Sequence, residues 1–223
     1  MKVLALEFSS AVRSIAVIAL ESGSAPPVIM ASAAEEKGKA SRPMALIELA
    51  LKAARLEREA IEGLVIALGP GSYTGVRSAI ALAQGWQLAR SVTLIGVSSA
   101  DALAAAAKEK GWLGHVGVVI DAQRGEFYFA GYEVAASGWQ LADPLRIATN
   151  EEAEKLAADY ETIVGPEATK FFERARVLCP EAKLLGGLAK GRSDFTAGEN
   201  LEPIYLRETR FLKAPPPRVA RGL

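Results

Sequence analysis

The chain has little of what metal and thiol chemistry needs. Among its 223 residues there is one cysteine, Cys179, and one histidine, His115. A lone cysteine closes no internal disulfide, so nothing points to a stapled secreted domain. A zinc or iron site takes three or four protein ligands, and carboxylates would have to supply most of them here. An excess of charge of one sign is also missing: Lys plus Arg and Asp plus Glu stand at 26 each. A dedicated nucleic-acid binder carries a basic excess, so the balance argues against one. It leaves open a subunit whose partner holds the RNA. No apolar run approaches the roughly 20 residues that span a bilayer. The opening, MKVLALEFSS, is broken by Glu7 too early for a signal peptide. We expect a cytoplasmic protein.

What is there is ordinary for a globular chain: half the residues are apolar and 23% are charged. The length suits one or two domains with a real core. KVLALEF (2–8) and SIAVIAL (14–20) read as a strand hairpin, and VIMASAAEE (28–36) as a third strand. Ser41 reads as an N-cap, with Pro43 in the first turn of a helix over 41–56. LVIAL (64–68) is a buried strand, GPGSYTG (69–75) a loop, 76–91 a second helix and TLIGVSS (93–99) another strand. A second unit follows. Residues 101–111 read as an alanine-rich helix. HVGVVIDAQ and EFYFAGYEV are two strands around Arg124 and Gly125, and 136–147 is a weaker strand pair. Residues 150–160 read as a helix capped by Asn150, ETIVGP as a short strand, and KFFERARVLCP as a helix stopped by Pro180. The expected division is a first lobe over 1–100, a second over 101–205, and a basic, proline-containing tail over 206–223. That tail carries Arg207, Arg210, Lys213, Arg218 and Arg221 against Glu208. Such a tail either touches RNA or is merely solvated.

Four features can carry chemistry, and each has a plain structural reading. The glycines Gly69, Gly71 and Gly75 allow positive φ and close backbone approach, and a helix start follows. A phosphate loop and a tight strand-to-helix turn capped by Ser72 or Thr74 both fit. It is not a Walker loop, because the spacing and the Lys-Ser/Thr pair are absent. We expect the structural turn. Asp121 could ligand a metal, or close a hairpin turn with Gly125 left-handed; we expect the turn. Glu7 could reach a metal–nucleotide, but it has no partner acid nearby in sequence, so a structural role is expected. His115 precedes an apolar strand and reads as a surface or edge residue.

The two first-lobe helices are too apolar for helices that bury one side. On the first, Met44, Ile47, Leu51 and Ala54 form one row, beside Leu46, Leu49, Ala50 and Ala53. On the second, Val76, Ile80, Ala83 and Gln84 lie along one side, and Ala79, Leu82, Trp86 and Ala89 along another. One row on each can face the lobe's own sheet, and the extra row marks a contact surface. The small residues Ala79, Ala83 and Gly85 would let a second helix pair come close. The spacing does not decide which row faces outward.

In order and spacing, VIALGPGSYTGVRSAIALAQGWQLA, LIGVSS, VVIDAQRGEFYFAGYE and EPIYLRETR closely resemble the TsaB family, from the first strand to about Arg210. The resemblance implies an actin/Hsp70-like (ASKHA) α/β fold of two adjacent mixed lobes, the second reduced. It implies partnership with a catalytic paralogue, TsaD, and with the ATPase TsaE. That complex transfers a threonylcarbamoyl group to N6 of adenosine 37 in tRNAs that read codons beginning with A. It also implies a four-helix contact through the two first-lobe helices, in a homodimer or with TsaD, and tRNA contact only through the complex. The paralogue's metal ligands include two histidines on the helix after the third strand. Here that region, KASRPMALIELAL, has none. Glu7 stands where the superfamily usually has aspartate in the first strand. The expectation is a chain with no catalytic residue, cofactor or metal of its own. The alternative is a sugar-kinase-like or ATPase enzyme of the same superfamily.

Overall fold

A computed structural model describes residues 1–21, 23–36 and 42–207. Ser41 and the tail beyond Arg207 lie outside the described residues. The first lobe is β1 (Lys2–Glu7), β2 (Val12–Ala19), β3 (Val28–Glu36), α1 (Pro43–Ala53), β4 (Gly63–Ala67), α2 (Tyr73–Ala89) and β5 (Thr93–Val97). After α3 (Ser99–Glu109) come β6 (Gly114–Gln123), β7 (Glu126–Ala135), β8 (Gly138–Thr149), α4 (Asn150–Ala158), β9 (Thr162–Gly165), β10 (Ala175–Val177) and α5 (Ala182–Ala189).

The two five-stranded sheets have the same plan, β3-β2-β1-β4-β5 and β8-β7-β6-β9-β10. In each, the first three strands pair antiparallel and the next two join in parallel. This duplicated arrangement is the actin-like fold. The second lobe is reduced in its helices: where α2 joins β4 to β5, only a 3-10 turn, Ala168–Lys170, lies between β9 and β10.

Central strands covered on both faces read as unbroken apolar runs rather than as alternation. So it is with β1, whose Leu4 and Leu6 face α1 and α2 while Val3 and Ala5 face α5. A helix buried all round must itself be apolar all round and slim enough to fit. That accounts for the alanines of α3: Ala100, Ala104 and Ala107 pack with the second sheet, and Ala102 with the first. Although α5 follows β10 of the second sheet, its Ala182, Leu185 and Ala189 pack across the first. The Ala182 amide donates to Ser14 Oγ at 2.9 Å.

Several elements differ from the sequence reading. Residues 138–149 form one strand, not a pair. Thr149, not Asn150, caps α4, in a reciprocal box with Glu152. The expected helix over KFFERARVLCP is the 3-10 turn followed by β10, because Phe172 turns into the core beside Phe127 and the chain then pairs with β9. On α1 the cap position is Arg42, with Pro43 in the first turn.

Candidate functional site

In open α/β sheets, ligands sit beyond the C-terminal ends of the parallel strands. Here β1 and β4 of one lobe and β6 and β9 of the other all run toward one cleft of about 1420 Å³. Its walls include residues 9–11 after β1, residues 71–74 and Arg77 at the start of α2, and residues 120–124 at the end of β6. Glu126 and Tyr128 of β7, Ile147 of β8, Pro166, Glu167 and Lys170 after β9 and residues 205–207 complete them.

The GPGSYTG segment is seated on the β1–β2 turn. Helix α2 begins at Tyr73, so Thr74 and Gly75 lie inside it, and Ser72 is the cap, accepting from the Gly75 amide at 3.3 Å. The Ser72 amide donates to the Ser9 carbonyl at 2.6 Å, and the Ser99 amide to the Gly69 carbonyl at 2.8 Å. Gly69 and Gly71 hold φ of 87° and 148°. A Cβ on Gly71 would lie 2.2 Å from the Ser9 carbonyl oxygen, and one on Gly75 1.9 Å from that of Phe8. The close approach that a phosphate loop reserves for its ligand is taken here by the chain's own backbone. Gly75 serves that approach from a helical conformation, whereas Gly71 combines it with a positive φ.

Glu7 is fully buried and absent from the cleft wall. One carboxylate oxygen accepts from the Ser9 amide at 2.6 Å and the other from Ser99 Oγ at 3.1 Å. Burial pushes its pKa above the ordinary 4.5, partly offset by these hydrogen bonds. The folded chain therefore holds this proton more tightly than the unfolded chain. Its contribution to stability is complete below about pH 4.5 and is lost as pH rises through the folded value. We expect Glu7→Gln to remove that part of the pH dependence. Urea midpoints measured from pH 4 to 8 should converge or cross in favour of the variant toward neutral pH. Parallel profiles would show that the buried carboxyl does not titrate in this range.

Asp121 stands at the cleft but is engaged locally, accepting from the amide and the side chain of Gln123 at 2.7 and 2.9 Å. The turn it closes is more strained than a single left-handed Gly125: Gln123 and Arg124 also have positive φ. His115 is exposed at the other end of β6, 3.8 Å from the Glu133 carboxylate. Among the described residues no three His, Cys, Asp or Glu side chains come together as metal ligands would.

The sequence marked EPIYLRETR as part of the family resemblance and counted Arg207 as tail charge, but it did not place residues 203–207 at the cleft. The Ile204 amide donates to the Leu68 carbonyl at 2.8 Å. Tyr205 closes a stack in which the Arg77 guanidinium lies 3.6 Å from the Tyr73 ring and 4.8 Å from the Tyr205 ring. Arg207 donates to the Ala122 and Gln123 carbonyls at 3.0 and 3.2 Å and to the Glu126 carboxylate. The signal was the PIYLR string itself, whose geometry no spacing rule describes.

Burial sorts the ten contact-surface residues and corrects the expectation for most of them. Ile47, Ala50, Leu51, Val76, Ala79, Ile80 and Ala83 are buried in the chain's own core against the first sheet, so none is free to meet a partner. Ala54 and Trp86 are half-buried on the same core. Met44 alone of the ten is exposed, at 41%. The outward row on α1 is Met44, Ala45, Glu48, Leu49, Lys52 and Ala53, and on α2 it is Arg77, Ala81, Gly85, Leu88 and Ala89.

A family profile described as "TsaD: tRNA N6-adenosine threonylcarbamoyltransferase" matches residues 34–175. The chain is 31% identical over 166 residues to the tRNA threonylcarbamoyladenosine biosynthesis protein TsaB of Escherichia coli K12, covering 66% of this chain and 71% of that one. This chain belongs to the TsaB family. The structure of YeaZ from Pseudomonas aeruginosa superposes on it with a TM-score of 0.75 at 27% identity, covering 92% of this chain and 99% of that one. A second Pseudomonas aeruginosa structure, described as similar to the peptidase YeaZ, matches equally well at 26% identity. In this TsaB-family chain a histidine-based peptidase site would need His115, which stands a strand's length from the cleft residues.

Proposed function

We propose that this chain is a non-catalytic, cytoplasmic subunit of the machinery that makes threonylcarbamoyladenosine in tRNA. In this reading it supports threonylcarbamoyl transfer to N6 of adenosine 37 in tRNAs that read codons beginning with A. It does so beside the catalytic paralogue TsaD and the ATPase TsaE, touches tRNA only through them, and pairs with itself when alone. The contact surface is the outward row of α1 and α2. Family membership supports the pathway. The observation that carries the subunit role is the condition of the cleft carboxylates. A kinase of this fold needs acids facing a metal–nucleotide, yet Glu7 is sealed behind the wall by Ser9 and Ser99, Asp121 is spent on its own turn and Glu126 accepts from Arg207, which leaves Glu167 as a single uncommitted acid among the described wall residues.

The test is reconstitution with TsaD and TsaE and measurement of modified adenosine. Alanine at Asp121 or His115, and glutamine at Glu7, should leave modification within a few-fold of the parent. A loss of several orders of magnitude at any one, with assembly intact, would mean an active site in this chain. The second reading, an ATPase or sugar-kinase-like enzyme, draws on the size of the cleft and on Arg124 and Lys170, which make no ion pair among the described residues. Calorimetric titration of the lone chain with Mg-ATP separates the two. We expect no binding; micromolar binding with turnover would select the enzyme.

A further inference from the structure

We propose that residues 203–207 form a latch across the mouth of the cleft, setting the separation of the two lobes by tying α2 to the β6–β7 turn. One end is fixed to the first lobe. The Ile204 amide donates to the carbonyl of Leu68 just beyond β4, and Tyr205 lies against Arg77, which is itself sandwiched on Tyr73 at the start of α2. The other end is fixed to the second lobe. There the Arg207 guanidinium gathers the Ala122 and Gln123 carbonyls and the Glu126 carboxylate. All three acceptors, two carbonyls and a carboxylate, converge on the single guanidinium nitrogen Nη2 and share its two hydrogens, each bond strengthened by the charge.

The acceptor turn is built to receive it. Positive φ at Gln123, Arg124 and Gly125, with the register break between Asp121 and Gln123, belongs to the turn whose carbonyls Arg207 meets. Asp121 braces the same turn through the Gln123 amide. A hairpin held in this sparsely populated conformation persists where its surroundings over-determine it, and Arg207 is one such restraint. The first-lobe end is braced as well, since Ser72 joins α2 to the β1–β2 turn. Among the described residues the lobes are also joined through α3 and α5, packed between the sheets, and by Cys179 after β10, which meets Ser10 of the β1–β2 turn. The latch is a cross-lobe tie at the mouth of the cleft. It connects the start of α2 with the turn on the opposite wall. This inference rests on the contacts alone and does not depend on the proposed function.

Paired spin labels test it, placed at Lys52 on α1 and Glu154 on α4 of the full chain with Cys179→Ser, diluted with unlabelled chain so that only intramolecular distances register. The parent should give one narrow interlobe distribution. Arg207→Ala and Tyr205→Ala, which cut opposite ends of the tie, should each broaden or shift it, with circular dichroism unchanged. Arg207→Gln, which keeps a donor but loses charge and reach, should do the same in lesser degree, and Arg207→Lys, which keeps a charged donor for the same acceptors, should stay nearer the parent's distribution. If neither alanine variant changes the distribution, the latch is refuted. If only the Arg207 variant does, Arg207 braces its own hairpin and ties nothing, which equally overturns the proposal. Should either alanine variant fail to fold, Arg207→Gln and Arg207→Lys decide, because a distribution equal to the parent's in both also overturns it.

Discussion

Alanine at Gly75 is expected to lower the melting temperature by about 6–12 °C. The added methyl would lie 1.9 Å from the Phe8 carbonyl oxygen, a backbone atom in the turn after β1 that cannot swing aside. Relief requires α2 to lift from the sheet, and α2 brings Val76, Ala79, Ile80 and Ala83 to the core. Overpacking of this kind costs about 3 kcal/mol at the upper end of its usual range, and for a chain of this size 1 kcal/mol shifts the melting temperature by about 2–4 °C. Gly71→Ala should fall in the same direction through two causes: its Cβ would meet the Ser9 carbonyl oxygen at 2.2 Å, and its φ of 148° disfavours a side chain. Gly85, in the same helix, has open space where its Cβ would stand, so Gly85→Ala should be neutral or stabilising in the monomer. Thermal melts of the three variants decide the matter. An unchanged melting temperature in the Gly71/Gly75 double variant would show that the glycines are not there for close packing.

Most of the first lobe was legible because its signals are local. The apolar runs of β1, β2 and Gly63–Ala67 announce strands, and Pro43 and Ser72 mark helix starts. Reading failed where tertiary packing outweighed propensity. In KFFERARV the composition favours a helix, but Phe172 is drawn to Phe127 and Ala175–Val177 completes the second sheet's edge. Helix α5 was not read at all, because Gly186 and Gly187 argue against a helix. Gly186 is there for the sheet beneath it: its Cβ would sit 2.9 Å from two carbons of Ile18. The cleft was legible in its ingredients and not in their use. Glu7, Asp121 and the glycine loop were all found, but the partners that occupy them, Ser9, Ser99, Gln123 and the Phe8 carbonyl, include groups that reach across the sequence from other elements.

The proposed contact surface shows the same limit, since periodicity finds a helix with two apolar rows without saying which row the sheet takes. The structure turns Ala50 and Ala83 fully inward. A glutamate at either would bury a charge without a partner, which unfolds rather than dissociates. The informative positions are Ala81, Gly85 and Leu88, one outward stripe at spacings of four and three. Leu88 is 90% exposed and Leu49 on α1 57%. Gly85 costs the helix about 1 kcal/mol relative to alanine, and no contact among the described residues requires it. A glycine kept mid-helix without an internal use fits a surface on which a second helix must come close. We therefore expect Ala81→Glu and Leu88→Glu to weaken self-association by a hundredfold or more, a change of about 2.7 kcal/mol, while each melts within a degree or two of the parent. Gly85→Ala should weaken it less, by a methyl that keeps the helices apart. Sedimentation equilibrium across a concentration series, with circular dichroism on the same samples, reads both quantities. If the two glutamate variants stay folded and associate as the parent does, the subunits meet elsewhere and the open place beside Gly85 has some other cause.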